Sequence, residues 1–282
     1  MERIIEASWW RTLPDARIQC LLCPHSCILE EGDWGHCHAR MRSGNALTLP
    51  YYGWISSIAI DPVEKKPLRR FMPGTWTYSV GFWHCTMDCP FCQNWEIAHP
   101  EKIERQFIPP DRLARLALDS GCPSISFTYS EPTLHIEYVM KAMEESRRLG
   151  LKTILVTNGN ILEEPARAIL SLTDAANVDL KTSDALRYRR ILGGDLQTVK
   201  KFIQLAAEFC HVEVTSLAVP GIFDSKEQAE QIASFIASIS PAIPLHVTWY
   251  HPARSYFEPP LSPQHIREMA NAARARLQWV YS

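Results

Sequence analysis

Tyr78-Ser79-Val80-Gly81-Phe82 is an apolar, β-like run, and it leads into Cys85-Thr86-Met87-Asp88-Cys89-Pro90-Phe91-Cys92, three cysteines at the spacing C-x3-C-x2-C. Three thiolates on one short loop can hold three irons of a cubane cluster. A closed zinc site or a self-contained [4Fe–4S] site generally takes four protein ligands. The fourth iron would then be open, at the C-terminal end of a strand, where it can chelate the amino and carboxylate groups of S-adenosylmethionine. The same three residues also admit a zinc site completed by His84 or by a remote ligand.

Working outward, β-like runs alternate with helix-like stretches from about Thr77 onward, the pattern of βαβ units around a parallel sheet. Strands are expected near Tyr78–Phe82, Ser124–Tyr129, Thr153–Val156, Asn177–Leu180, Val212–Leu217 and His246–Trp249. Helices are expected over Asp111–Leu118, Thr133–Leu149, Glu164–Leu172, Leu196–Phe209, Lys226–Ser238 and Pro263–Leu277. Pro110, Pro165 and Pro263 sit where a first helical turn tolerates proline, and Gly150 follows a helix end. Right-handed crossovers would turn six such units into an open, partial (β/α)6 barrel, although a doubly wound α/β sheet gives the same string.

The first 75 residues differ, with turns, cysteine-bearing loops and the stretch Asp61-Pro62-Val63-Glu64-Lys65-Lys66-Pro67. They read as a cysteine-rich metal-binding subdomain over residues 1–75, followed by the barrel over 76–282. Cys20, Cys23, Cys27 and Cys37 supply four thiolates, enough for a zinc ion or an auxiliary iron–sulfur cluster, and a small subdomain with little core needs such a staple. Cys122 and Cys210 stand alone and read as small buried hydrophobes.

The 282 residues carry 29 Lys and Arg against 31 Asp and Glu, so no electrostatic footprint for general nucleic-acid binding appears. No apolar run suits a membrane span, and Met1-Glu2-Arg3 does not begin a signal peptide. A cytoplasmic location is expected, where clustered cysteines usually ligate metal rather than pair as disulfides.

The cysteine loop, with aromatic Phe91 between its second and third cysteines, resembles the signature of the radical S-adenosylmethionine superfamily. Asp61–Pro67, Pro73-Gly74, Phe91-Cys92-Gln93-Asn94, Tyr129-Ser130-Glu131-Pro132-Thr133, Thr157-Asn158-Gly159 and Val178-Asp179-Leu180-Lys181 resemble more closely the AmmeMemoRadiSam-system radical SAM proteins, relatives of pyruvate formate-lyase activating enzyme. The resemblance runs from the N-terminal cysteines to Pro259-Pro260. His84 departs from it, standing where relatives commonly have glycine, and Thr86 stands where asparagine is usual.

The resemblance implies a [4Fe–4S] cluster on Cys85, Cys89 and Cys92, and a cosubstrate pocket. In that pocket Glu131, beside Ser130, would hold the methionyl amine by a charge-assisted hydrogen bond, and Phe91 would lie against the adenine. Thr157 and Asn158 end the third expected strand, Asp179 ends the fourth, Thr215 lies on the fifth and His251 follows the sixth. In the relatives such strand ends contact the cosubstrate or a monovalent cation, and Lys181 would face the substrate.

Two classes of function follow. In the first, an electron donor such as flavodoxin or ferredoxin reduces the cluster, S-adenosylmethionine is cleaved, and the resulting 5′-deoxyadenosyl radical abstracts hydrogen from a substrate. Kinship with activating enzymes implies a protein or peptide substrate. It would dock at an open barrel mouth that no long C-terminal segment closes, with Lys65, Lys66, Arg69 and Arg70 on the rim. A small-molecule substrate is the alternative within this class. In the second class the chain is an electron carrier or zinc module without turnover, for which strand-end residues such as Glu131, Thr157 and Asp179 have no use.

Overall fold

The computed structural model describes residues 5–104 and 106–282. Its N-terminal part holds short antiparallel pairings: β1 (Trp10–Thr12), β2 (Ile18–Cys20) and β3 (Ile28–Leu29) in one sheet, β4 (Met41–Ser43) and β5 (Ala46–Thr48) in another. The remaining strands make one eight-stranded sheet: β6 (Ser57–Pro62), β7 (Trp76–Gly81), β8 (Ser124–Thr128), β9 (Lys152–Thr157), β10 (Ala175–Asp179), β11 (His211–Ala218), β12 (Leu245–Trp249) and β13 (Val280–Tyr281). Spatial order follows chain order, and β7 to β13 are parallel. The two ends, β6 and β13, do not pair with each other, so the barrel is partial and open-sided.

The helices are α1 (Trp95–Ala98), α2 (Pro110–Asp119), α3 (Ile136–Arg148), α4 (Glu163–Leu170), α5 (Ala185–Arg190), α6 (Leu196–Phe209), α7 (Lys226–Ile239) and α8 (Pro263–Arg274). The longer ones bury an apolar stripe at helical spacing. In α6 that stripe is Leu196, Val199, Phe202, Ile203, Leu205 and Ala206. Asp195, Ser225 and Ser262 accept first-turn backbone N–H groups at α6, α7 and α8, caps that contribute about 1 kcal/mol each. The helix expected from Thr133 begins instead with a 3-10 turn over Pro132–His135, because Pro132 and the Glu131 carboxylate set up that tighter first turn.

Residues 57–62 lie on the N-terminal side of the expected boundary at 75/76, yet they form β6, hydrogen-bonded antiparallel to β7. The segment that follows fills the lower barrel. Val63 and Leu68 pack with Ile154 and Ala175, Asn177 Nδ2 donates to the Pro67 carbonyl at 2.9 Å, and the Arg69 and Arg70 backbone N–H groups donate to the buried Glu213 carboxylate at 3.0 and 2.7 Å. Arg70 and Arg69 then stack over Trp279 and Tyr281. Thus Arg69 and Arg70 emerge beside the starts of β11 and β13, at the end of the barrel away from the cysteine loop. Lys66 is 2% exposed and ion-paired with Asp61. The expected docking rim is therefore corrected: of its four cations, only Lys65 is both exposed and on the β6 side. The alternation of the sequence could not reveal a plug, because a barrel interior accepts apolar and satisfied polar residues alike.

Candidate active site

A cavity of about 450 Å³ opens at the C-terminal ends of the parallel strands, with Pro67 of the plug among its lining residues. Cys85, Cys89, Phe91 and Cys92 reach it from the loop after β7, and Ser130 from the end of β8. Asn158 follows β9, Asp179 ends β10, Thr215 lies on β11 and His251 follows β12, and all four line the same space. Parallel strands point their carboxyl ends the same way, so residues more than 160 positions apart converge.

Burial pushes the Cys85 and Cys92 thiols up and takes Cys89 to about 11, so loss of these protons needs a compensating positive charge. The Met87 backbone N–H points at Cys85 Sγ at 3.4 Å. Phe91 is buried edge-on against Tyr250 and Tyr256. The chain after β12 folds back over the cysteine loop, Arg254 Nη1 donating to the Cys89 carbonyl at 3.1 Å and the Ser255 N–H to the Pro90 carbonyl at 3.1 Å. This strap, between β12 and α8, covers the loop.

Glu131 and Thr157 are not in the cavity wall. Glu131 is fully buried, its Oε1 accepting from the Thr133 N–H and hydroxyl and from the Thr157 hydroxyl at 3.1, 2.7 and 2.7 Å. Its Oε2 accepts the Asn158 N–H at 2.8 Å. The expected direct contact of Glu131 with a cosubstrate amine is corrected on this ground: its acceptor sites already face four donors, and it ties the end of β8 to the end of β9. Burial raises its pKa, and these same hydrogen bonds oppose the rise.

One contribution escaped the sequence reading. Tyr129 lines the cavity with φ +73°, a left-handed conformation costing a non-glycine residue about 1–2 kcal/mol. It is held there by its hydroxyl donating to Asp61 Oδ2 at 2.7 Å and by the Lys66 ammonium 4.4 Å above its ring. Gly81 answers the same crowding, since a Cβ there would stand 2.9 Å from the Tyr129 ring. Lys181, expected to face the substrate, lines the cavity, its ammonium paired with Asp179 at 2.8 Å. The motif Asp61–Pro67 was the available signal for the Tyr129 arrangement, but nothing local says that Lys66 turns inward.

A larger cavity, about 810 Å³, lies between the N-terminal part and the cysteine loop, and Cys37, Cys85 and His84 all border it. His84 has φ +72°, the conformation that glycine favours. Cys20, Cys23 and Cys37 are buried and their thiols pushed up, Cys37 to about 11, by burial with contributions from one another and from Cys27. The His36 N–H donates to Cys27 Sγ at 3.3 Å. Among the described residues, no three His, Cys, Asp or Glu side chains form a ready-made site for one metal ion. No helix of the described residues is long and apolar enough to cross a membrane.

Fold and site together define an α/β enzyme built to carry an iron–sulfur cluster and S-adenosylmethionine at the mouth of a partial barrel. The Radical SAM superfamily profile matches residues 84–236. An uncharacterized protein of Methanocaldococcus jannaschii is 34% identical over 98% of this chain and 84% of its own length. The chain belongs to the radical SAM superfamily. Shorter similarities reach a 7-carboxy-7-deazaguanine synthase of Thermococcus kodakarensis, 44% identical over 26% of this chain and 28% of that one. They also reach the pyruvate formate-lyase-activating enzyme of Clostridium pasteurianum, 25% identical over 61% of this chain and 74% of that one. The fold matches Streptococcus suis SuiB bound to S-adenosylmethionine with a TM-score of 0.58 at 17% identity, covering 72% of this chain and about half, 49%, of SuiB.

The family implies a [4Fe–4S] cluster and S-adenosylmethionine, and the residues fit both. Three cysteine thiols share one cavity, N–H groups are directed at one of the sulfurs, and the polar side chains of Ser130, Asn158, Asp179, Thr215 and His251 converge on it from five successive strands.

Proposed function

We propose that the protein is a radical SAM enzyme of the activating-enzyme kind, a member of the AmmeMemoRadiSam group, that abstracts hydrogen from a protein or peptide. Cys85, Cys89 and Cys92 would hold the cluster, and Phe91, Ser130, Asn158, Asp179, Thr215 and His251 would bound the cosubstrate. When bound and reduced, cluster and cosubstrate supply reductive cleavage to methionine and a 5′-deoxyadenosyl radical. The chain's own part is orientation and exclusion of water. Phe91, held by Tyr250 and Tyr256, closes one wall, and the Asp179–Lys181 pair presents both charges to a zwitterionic ligand.

One observation carries the polypeptide reading. The cavity is of a size for one small ligand, so the cosubstrate would take up much of it. A second groove of about 280 Å³, bordered by Ser57 and Ala59 of the edge strand β6, shares Gln93, Asn94 and Tyr129 with it. A loop lying along β6 would reach the cosubstrate without entering the barrel. A flavodoxin- or ferredoxin-like donor would supply the electron. The N-terminal cysteines would hold zinc or an auxiliary cluster, a reading supported by four thiols within one short stretch, three of them buried, and by the His36 N–H on Cys27.

The test uses anaerobic, reconstituted, reduced protein with S-adenosylmethionine and candidate polypeptides carrying deuterium at backbone and side-chain carbons. Deoxyadenosine should form slowly alone and become deuterated only with the right polypeptide. Efficient hydrogen transfer from a purified metabolite, with no polypeptide present, overturns the substrate class and leaves the radical chemistry standing.

A further inference from the structure

We infer that the side-chain amide of Asn158 is a hydrogen-bond donor to the Cys85 sulfur that raises the reduction potential of the bound cluster, a positioning and tuning role distinct from cosubstrate contact. The inference rests on the assignment of the cluster to Cys85, Cys89 and Cys92.

The geometry fixes which end of the amide faces the sulfur. Asn158 Oδ1 accepts the Asn160 backbone N–H at 2.9 Å, which turns Nδ2 the other way. Nδ2 then reaches Thr86 Oγ1 at 3.0 Å and Cys85 Sγ at 3.5 Å. The backbone beneath is held as firmly. The Asn158 N–H is taken by Glu131 Oε2 at 2.8 Å, and the Gly159 N–H by Thr157 Oγ1 at 3.0 Å. Asn158 is 5% exposed and Thr86 1%, so water does not compete freely for either group. Among the described residues, Cys85 is the one of the three cysteines whose sulfur receives a side-chain amide.

A cluster gains negative charge on reduction, and its thiolate sulfurs share that charge. A donor directed at one of them stabilises the reduced state more than the oxidised state, more strongly where the surroundings are dry. The buried Glu131, which touches no ligand itself, acts through Asn158 by fixing its backbone. The resulting chain of contacts explains why a carboxylate with no access to the cavity is kept next to it.

The experiment is a redox titration of the reconstituted full chain without cosubstrate, followed by the electron paramagnetic resonance of the reduced cluster. Asn158→Asp keeps the Oδ acceptor for Asn160 and removes the donor, while Asn158→Ala removes both. Each variant should contain the iron of the unaltered protein, with the ratio of reduced to oxidised cluster at fixed potential falling about tenfold. That is about 59 mV toward more negative values for one electron. Unchanged midpoints in iron-replete variants overturn the inference while the cluster assignment stands. Absence of any cluster from the unaltered protein would overturn the assignment instead. A measurement on the unaltered sequence covers variants that fail to fold: with asparagine labelled by 15N at the side-chain amide, the reduced cluster should show 15N coupling in the electron spin echo. No coupling overturns the inference.

Discussion

Glu131 Oε2 accepts the backbone N–H of Asn158 at 2.8 Å, joining two strand ends that are 27 residues apart in sequence. With its other oxygen occupied by Thr133 and Thr157, this carboxylate is an internal clamp on the active-site wall. Glu131→Gln puts an NH2 group against one of these donors whichever way the amide turns. The expected cost is about 1–3 kcal/mol for a buried group left unsatisfied. At roughly 2–4 °C per kcal/mol for a chain of this size, the thermal midpoint should fall by several degrees. Calorimetry on the unloaded protein checks this, and an unchanged midpoint would remove the clamp.

Lys66 and Lys65 flank the same carboxylate and should respond to very different degrees. Lys66 is inside the barrel, its ammonium 2.7 Å from Asp61 and over the Tyr129 ring, so Lys66→Ala opens a void and strips a buried acid of a partner. A loss of about 3–5 kcal/mol is expected. Lys65 is 65% exposed at its side chain, and Lys65→Ala should change stability by less than about 1 kcal/mol. Urea midpoints of the two variants decide the matter. Equal effects would contradict the plug.

Acid stability should depend on Glu213. Burial alone would raise its pKa, but hydrogen bonds from His211, His246 and the Arg69 and Arg70 backbone outweigh it and bring the group to about 2. A folded value below the unfolded one gives stability that is present above the ordinary glutamate range and is lost as pH falls from about 4.5 toward 2. The amount is about 3 kcal/mol at neutral pH. Glu213→Gln should lower stability at pH 7 and flatten the acid limb of the unfolding free energy. An acid limb as steep as that of the unaltered protein would contradict this role.

Replacing Cys85, Cys89 and Cys92 together by alanine should remove the iron of one cubane cluster and abolish deoxyadenosine formation. The fold should remain, because the loop stays held by Arg254 and Ser255 through backbone carbonyls that the substitution does not touch. Iron analysis, circular dichroism and product assay on one sample check the three parts. Retained cleavage would contradict the ligand assignment.

The six βα units were legible because their signals are local. Helix stripes, caps such as Asp195 and Ser225, and the cysteine spacing are all read within a few residues. The short helix α5 was missed because six residues carry too little periodicity. β6 was missed as part of the barrel because antiparallel pairing with β7 is a relationship between segments, not a pattern within one.

The amino-acid sequence by itself determined the class of chemistry and the alternation of strands with helices. Three cysteines at fixed spacing lie on one short loop in any fold, and parallel strands joined by helices place their ends together. Tertiary structure alone decided which polar residues face the cavity and which hold it in shape. Glu131 went behind the wall because Thr133, Thr157 and Asn158 converged on it there, and Lys66 went inside because Asp61 and Tyr129 met it there. A buried charge is tolerated only where distant partners assemble around it, and those partners are defined only once the chain has folded.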